Sequence, residues 1–253
     1  MGRGALPMYD LPGVERDVDL LWAAIAERIG ADPVRLRPDD LHRHWRSGAF
    51  VLSQTCGLPL VETLNEVTVV GVFTTAVGVG DGSHYQSVII EPLQPSCGPL
   101  AINSWDSLSG YVSLAHFLAE ERPDGLDSGP VSAMITGGHR YSLAAVASGL
   151  ASLASIDAVS FDILCRTAPD KVAAVRRVGS GPTVPCLPLV AANHEHRARL
   201  HQALKQVVQM ESLQPALQRL AITGFEPLGR QAYSGVSTLI TKAREHVPPK
   251  TDR

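Results

Sequence analysis

At 253 residues the chain is long enough for one large domain or two lobes of ordinary size, and 45% hydrophobic with 19% charged residues is an ordinary globular composition. A formal net charge of −3 without any basic run argues against a nucleic-acid surface. No apolar run approaches the ~20 residues that a membrane-spanning helix needs. The four cysteines, Cys56, Cys97, Cys165 and Cys186, form no CxxC or Cys/His metal pattern, so they are buried thiols or one or two disulfides that spacing alone does not pair. The first residues show no apolar h-region, so no signal peptide is expected in the chain as given: a leader has been trimmed, or the protein stays inside the cell.

Ala5-Leu6-Pro7-Met8-Tyr9-Asp10 is short and apolar and runs into a Leu-Pro-Gly turn. Val14, Val18, Leu21, Trp22, Ile25 and Ile29 then recur at helical spacing, and Gly30 ends the run. A second helical piece around Leu41 and Trp45 stops at Gly48. Ala49 to Leu52 reads as a strand emptying into Ser53-Gln54-Thr55-Cys56-Gly57, and Val67 to Phe73 as a buried strand. After a glycine-rich turn, Gly78 to Ser83, Tyr85 to Glu91 reads as another strand.

The alternation continues. Strand Leu100 to Ile102 leads to a helix starting at Ser107. Strand Val131 to Ile135 leads through Thr136-Gly137-Gly138-His139 to a helix ending near Gly149. Strand Ser155 to Val159 carries Asp157 within it, and Val184 to Val190 returns as an extended piece. Helical patterns over Glu195 to Val208, Leu213 to Leu220 and Tyr233 to Glu245 close the chain before a frayed Pro-Pro-Lys-Thr-Asp-Arg tail.

Strand–helix alternation predicts an α/β fold with mainly parallel sheets covered by helices. Polar or glycine-rich clusters follow the strands ending at Leu52, Ile102 and Ile135, each at a carboxyl end, the edge where open α/β sheets bind ligands. The stretch Ala101 to Tyr111 stands out. Ser107, Ser109 and Gly110 crowd the first turn of a helix, where unpaired N–H groups and the positive end of the macrodipole suit an oxyanion. The plainer alternative is that Ser107 only caps its own helix. His139, at another helix start, reads either as a packing histidine or as a ligand contact. Asp157 is costly inside an apolar strand unless paired: it bonds neighbouring backbone, or it accepts from a protonated ligand oxygen or a ligand amine. Asp106 reads as a turn residue and Asp162 as a solvated helix residue.

Six pieces in order, LPMYD (Leu6 to Asp10), LSQTCG (Leu52 to Gly57), YQSVI (Tyr85 to Ile89), INSWDSLSGY (Ile102 to Tyr111), TGGHRYS (Thr136 to Ser142) and SIDAVSFDIL (Ser155 to Leu164), resemble the phosphate/phosphite/phosphonate-binding subunits of bacterial ABC importers. The resemblance runs from Leu6 to about Tyr233. It implies the two-lobed type II periplasmic-binding-protein fold. One lobe would be 1–88 plus 187–253 and the other 89–186. Tyr85–Glu91 and Val184–Val190 would be the hinge strands, with the ligand held between lobes that close.

The resemblance also implies the site. Ser107, Leu108, Ser109 and Gly110 match the family's anion-holding helix start, and His139 matches a histidine that contacts the anion. Tyr9 and Tyr85 would close over the ligand from the first lobe, and Gln54 and Thr55 match a cleft-facing position. Within the six motifs the only basic side chain is Arg140, so neutral dipoles would hold the anion. The expected function is binding of a small oxyanion without catalysis, without cofactor or metal, for an ABC transporter permease partner and, by resemblance, in the periplasm. Two alternatives stand beside it: an enzyme on the same fold using His139 and Asp157 as acid and base, and a ferric-iron binder using the tyrosines, His139 and Asp157.

Overall fold

The computed structural model describes residues 2–121 and 132–249. Its strands are β1 (Gly4–Ala5), β2 (Leu52–Gln54), β3 (Thr68–Thr75), β4 (His84–Tyr85), β5 (Val88–Pro92), β6 (Leu100–Ile102), β7 (Ala133–Ile135), β8 (Leu153–Ile156), β9 (Val175–Ser180), β10 (Val184–Pro185), β11 (Pro188–Ala191) and β12 (Ile222–Glu226). The chain divides into two compact units, residues 1–85 with 185–234, and residues 86–184 with 235–253. The short strands β4 and β10, where the chain passes from one unit to the other, pair as a two-stranded ladder.

Unit one is built on a five-stranded sheet of order β1-β2-β11-β3-β12. The helix Glu15–Ile29 covers it with the predicted stripe: Val18, Leu21, Trp22, Ile25 and Ile29 are buried, and Trp22 donates its ring N–H to the Asp32 carbonyl at 3.0 Å. Gly30 ends that helix with φ 61°, a left-handed conformation that costs glycine nothing. Leu200, Ala203, Leu204 and Val207 of the helix Arg197–Val207 bury a second apolar face, at about 1.5–3 kcal/mol for each large side chain removed from water. Arg230 donates to the carbonyls of Leu60, Leu64 and Val67 at 2.7, 2.7 and 2.9 Å, satisfying acceptors at the end of the helix Gly57–Glu62.

Unit two is built on a five-stranded sheet of order β7-β6-β8-β5-β9. Ile89, Ile90, Ala101, Ile102, Ala154 and Ile156 form its buried middle, with Leu143, Val146 and Ile163 from the helices His139–Ala147 and Ala158–Thr167 packed into the same core. The helix Val236–His246 lies against the helix Ser113–Glu121. The Tyr111 hydroxyl donates to the Val247 carbonyl at 2.7 Å, just past the end of that last helix.

Several expectations are corrected here. The sheets are mixed. In unit two β5 alone runs against four co-directional strands, whereas in unit one β11 and β12 both oppose β1, β2 and β3. The inverted inner strands, β5 and β11, follow the crossings at 85/86 and 184/185. Residues 235–249 pack in unit two rather than with 187–234, because the C-terminal helix buries Val236, Ile240 and Ala243 there. The strand expected at Ala49–Leu52 begins where that reading ended it, at Leu52, and Tyr85–Glu91 is broken at Gln86-Ser87. Val131, at the start of one expected strand, and residues 250–253 of the tail lie outside the described residues. Among the described residues no disulfide joins Cys56, Cys97, Cys165 or Cys186.

Candidate functional site

In unit two the chain leaves β6 and turns through Asn103-Ser104-Trp105-Asp106 into a π-helical turn, Leu108–Val112, that continues as the helix Ser113–Glu121. The π geometry is visible in the Val112 N–H, which reaches five residues back to the Ser107 carbonyl at 3.2 Å. Ser107 caps the turn, its hydroxyl oxygen accepting from the Gly110 N–H at 2.9 Å. The capping alternative for Ser107 is therefore realised, and its own O–H remains a donor. Leu108 and Ser109 are the first two residues of the turn, and both are buried. Asp106 is a turn residue, accepting from the Ser104 hydroxyl.

Gly110 is required at this point by contact rather than by conformation. A Cβ there would lie 2.8 Å from Cγ of Asn103 and 2.9 Å from the Ser107 hydroxyl oxygen. Asn103 in turn accepts from Ser142 at 3.0 Å, and Ser142 lies 2.6 Å from the Thr136 hydroxyl. This hydroxyl–amide network fastens the start of the helix His139–Ala147 to the Ser107 turn.

His139 is the first residue of that helix, and its Nε2 lies 2.9 Å from the Ser109 hydroxyl oxygen. Its Nδ1 faces the Asp157 N–H at 3.4 Å. Burial pushes His139 down to about 3, with the Ser155 backbone pulling weakly the other way, so the ring is neutral at ordinary pH. The Ser155 hydroxyl donates to the Ser109 carbonyl at 2.6 Å, which pins the main chain of the same serine. Asp157 does not sit inside a strand. β8 ends at Ile156, and Asp157 is the N-cap of the helix Ala158–Thr167, its carboxylate accepting from the Ser160 N–H at 2.9 Å. That bond gives one carboxyl oxygen of a residue only 1% exposed a backbone partner. Asp162 pairs with Arg166 at 2.7 Å across one turn of that helix, as a solvated residue should. The structure thus brings Ser107, Leu108, Ser109, Gly110, His139 and Asp157 into one cluster at the carboxyl ends of β6, β7 and β8.

In unit one, Tyr9 follows β1 in a tight turn in which its carbonyl accepts from the Leu11 N–H at 2.9 Å. Tyr9 and Gln54 are both buried and line the same small hollow, with Leu6, Val18, Leu21, Phe73, Leu220 and Ile222 as its apolar walls. Gln54 is the last residue of β2, and its carbonyl accepts from the Trp45 ring N–H at 3.2 Å. Thr55 is fully buried, its N–H donating to the Pro188 carbonyl at 3.0 Å. Tyr85 ends β4 and is 1% exposed. Cys56 is the N-cap residue of the helix Gly57–Glu62, and the Cys186 thiol donates to the Gly82 carbonyl at 3.4 Å. Among the described residues no three His, Cys, Asp or Glu side chains gather as a metal site.

Asn103, Ser142 and Ser155 lie within the quoted motifs but carry no role in a one-dimensional reading, because their partners are 39, 39 and 46 residues away in the chain. Arg35 lies in none of the motifs, yet its guanidinium is fully buried beside the Tyr9 turn.

A sequence model described as an ABC transporter, phosphonate, periplasmic substrate-binding protein matches residues 4–233. No curated protein matches. Among solved structures, PhnD1 from Prochlorococcus marinus in complex with methylphosphonate superposes with a TM-score of 0.76 at 14% identity, covering 96% of this chain and 98% of that one. A binding-protein component of an ABC phosphonate transporter from Pseudomonas aeruginosa gives 0.75 at 15% identity, covering 96% and 86%. A Xanthomonas citri protein bound to ATP gives 0.68 at 18% identity, covering 97% and 98%. These likenesses carry the two-lobed α/β periplasmic-binding-protein fold. With nine-tenths of its length matched, the chain belongs to the phosphonate-class periplasmic substrate-binding family of ABC transporters.

Proposed function

We propose that this protein captures a small phosphorus oxyanion, of the phosphonate, phosphite or phosphate class, and presents it to an ABC transporter permease in the periplasm. The observation that carries the reading is the Ser109–His139 contact at the start of the π-helical turn Leu108–Val112. Hydroxyls and amides hold an anion through dipoles alone, with the neutral His139 ring engaging the Ser109 hydroxyl, which favours fit and release over raw attraction. By the family resemblance we also propose Tyr9, Gln54, Thr55 and Tyr85 of unit one as ligand contacts, the phenols as O–H donors on apolar rings.

Binding without chemistry is the better reading of His139 and Asp157. Both nitrogens of the ring and one carboxylate oxygen already have partners within the fold. A general acid–base pair needs those atoms for substrate, and a ferric site would need them for iron. The Asp157 carboxylate beside the cluster favours a ligand oxygen that carries a proton, or a ligand amine, over a fully ionised dianion.

A thermal-shift panel of phosphate, phosphite, methylphosphonate, aminoethylphosphonate, sulfate and taurine tests this. A ligand at about 100 times its Kd stabilises by about 2.7 kcal/mol, a rise of roughly 5–10 °C for a chain of this length. Phosphorus oxyanions are expected to shift the midpoint, and sulfate and taurine are not. Recovery of the bound compound unchanged by 31P NMR separates binding from turnover. A panel without any shift removes the reading.

A further inference from the structure

We propose that Arg35 is a positioning residue for Tyr9, holding the turn that carries the phenol by clamping the carboxylate of its neighbour Asp10. This inference rests on the reading of Tyr9 as a ligand contact.

Two nitrogens of the Arg35 guanidinium meet the two Asp10 oxygens at 2.6 and 2.7 Å, a bidentate fork, and Nε donates to Asp19 at 2.6 Å. The Arg35 side chain is 1% exposed and Asp10 is 17% exposed, whereas Asp19 is 47% exposed. The shielded half of the network is therefore the half that touches the Tyr9 turn. Exposed ion pairs contribute little, but a desolvated bidentate pair is stiff and directional. Arg35 is itself held in place: the next residue, Leu36, donates its N–H to the Gly4 carbonyl at 2.7 Å, at the start of β1. β1 leads in four residues to Tyr9, so the turn is fastened at its strand side by the sheet and at Asp10 by Arg35. Without the fork, Asp10 is left with the longer Arg37 contact at 3.6 Å, and the turn that carries the phenol loses its shielded anchor beside the wall Tyr9 shares with Gln54.

The arrangement separates positioning from general stability, because Asp19 engages the same guanidinium on the solvent side without touching the Tyr9 turn. Affinities for methylphosphonate, with phosphite and phosphate in parallel, are to be measured by calorimetry for wild type, Arg35→Lys, Tyr9→Phe, the double variant and Asp19→Asn. Lysine keeps the charge and loses the fork. Arg35→Lys and Tyr9→Phe are each expected to weaken binding about tenfold, and the double variant no more than the worse single one, the non-additivity that marks residues acting through one another. Asp19→Asn is expected to stay within about twofold. Losses that multiply in the double variant, or an Asp19→Asn loss equal to that of Arg35→Lys, would overturn the proposal, as would a folded Arg35→Lys protein with unchanged affinity. A wild type that binds none of the three anions, or a Tyr9→Phe variant that binds as wild type, brings down the reading of Tyr9 itself, and the proposal with it. Should Arg35→Lys fail to fold, Asp10→Asn, which weakens the fork from the other side, takes its place in the cycle with the same expected pattern.

Discussion

The Ser109 hydroxyl oxygen lies 2.9 Å from Nε2 of His139, and this contact ties together turns that leave two different strands, β6 and β7. Which partner donates in this contact follows the tautomer of the neutral ring. Removing either partner should cost an oxyanion-binding site heavily. Ser109→Ala and His139→Ala are each expected to weaken the tightest-binding phosphorus oxyanion by about tenfold or more, and His139→Gln, which keeps an N–H donor, by less. Calorimetric titration checks this, and unchanged affinity in both alanine variants removes the site.

The buried ring also makes stability depend on pH. His139 is held at about 3 in the folded protein against 6.5 in an unfolded chain, mainly by burial. Between those values the unfolded state binds more protons, so stability is complete above about pH 6.5 and falls as the pH drops toward 3. His44, also lowered by burial, works in the same direction. In His139→Gln the acid-side loss should be shallower than in wild type. Urea unfolding of both proteins at pH 4.5 and pH 7.5 tests this, and parallel losses would contradict it.

Gly110→Ala probes how tightly the anion turn is packed. The added carbon would meet Asn103 at 2.8 Å and the Ser107 hydroxyl oxygen at 2.9 Å, so the cap or the Asn103–Ser142 bond must give. Overpacking of this kind costs about 1–3 kcal/mol, and a shift of the first turn should lower oxyanion affinity as well. Gly235→Ala serves as the control, because a Cβ there meets nothing within 4 Å. Equal midpoints and affinities for the two variants would show the turn to be looser than its contacts imply.

The elements legible in the sequence were those with strong periodicity or sharp punctuation. The helix Glu15–Ile29 follows its apolar stripe, with Val14 as its N-cap, and Gly30 and Gly48 stop their helices in the left-handed conformation. β9 and β12 were not foreseen. Both pair along one side only; β9 carries Arg176 and Arg177 at exposed positions, and β12 carries Gly224 in its middle, so neither presents a buried strand's pattern. Asp157 was misplaced by one element because Ser155 to Val159 is apolar on both sides of it, and the helix N-cap signal at an aspartate was outweighed by the run around it. The anion turn itself was legible because hydroxyls and a glycine are adjacent in sequence. The Arg35–Asp10 pair was not, since 25 residues separate its members and nothing local marks them.

Asp157 offers a test in which cap and charge come apart. Its carboxylate closes the helix Ala158–Thr167 by accepting from Ser160, and asparagine at an N-cap accepts equally well. Asp157→Asn should therefore unfold within a few tenths of a kcal/mol of wild type, whereas Asp157→Ala loses the cap and about 1 kcal/mol, a midpoint drop of roughly 2–4 °C. Thermal unfolding of the two variants side by side decides it. Equal losses would mean that the negative charge itself, through the helix dipole, holds the residue in place, and would set the carboxylate's main partner elsewhere in the cluster. With the cap intact in Asp157→Asn, any change in oxyanion affinity then reports on the charge alone, because the helix start, His139 and Ser109 keep their positions.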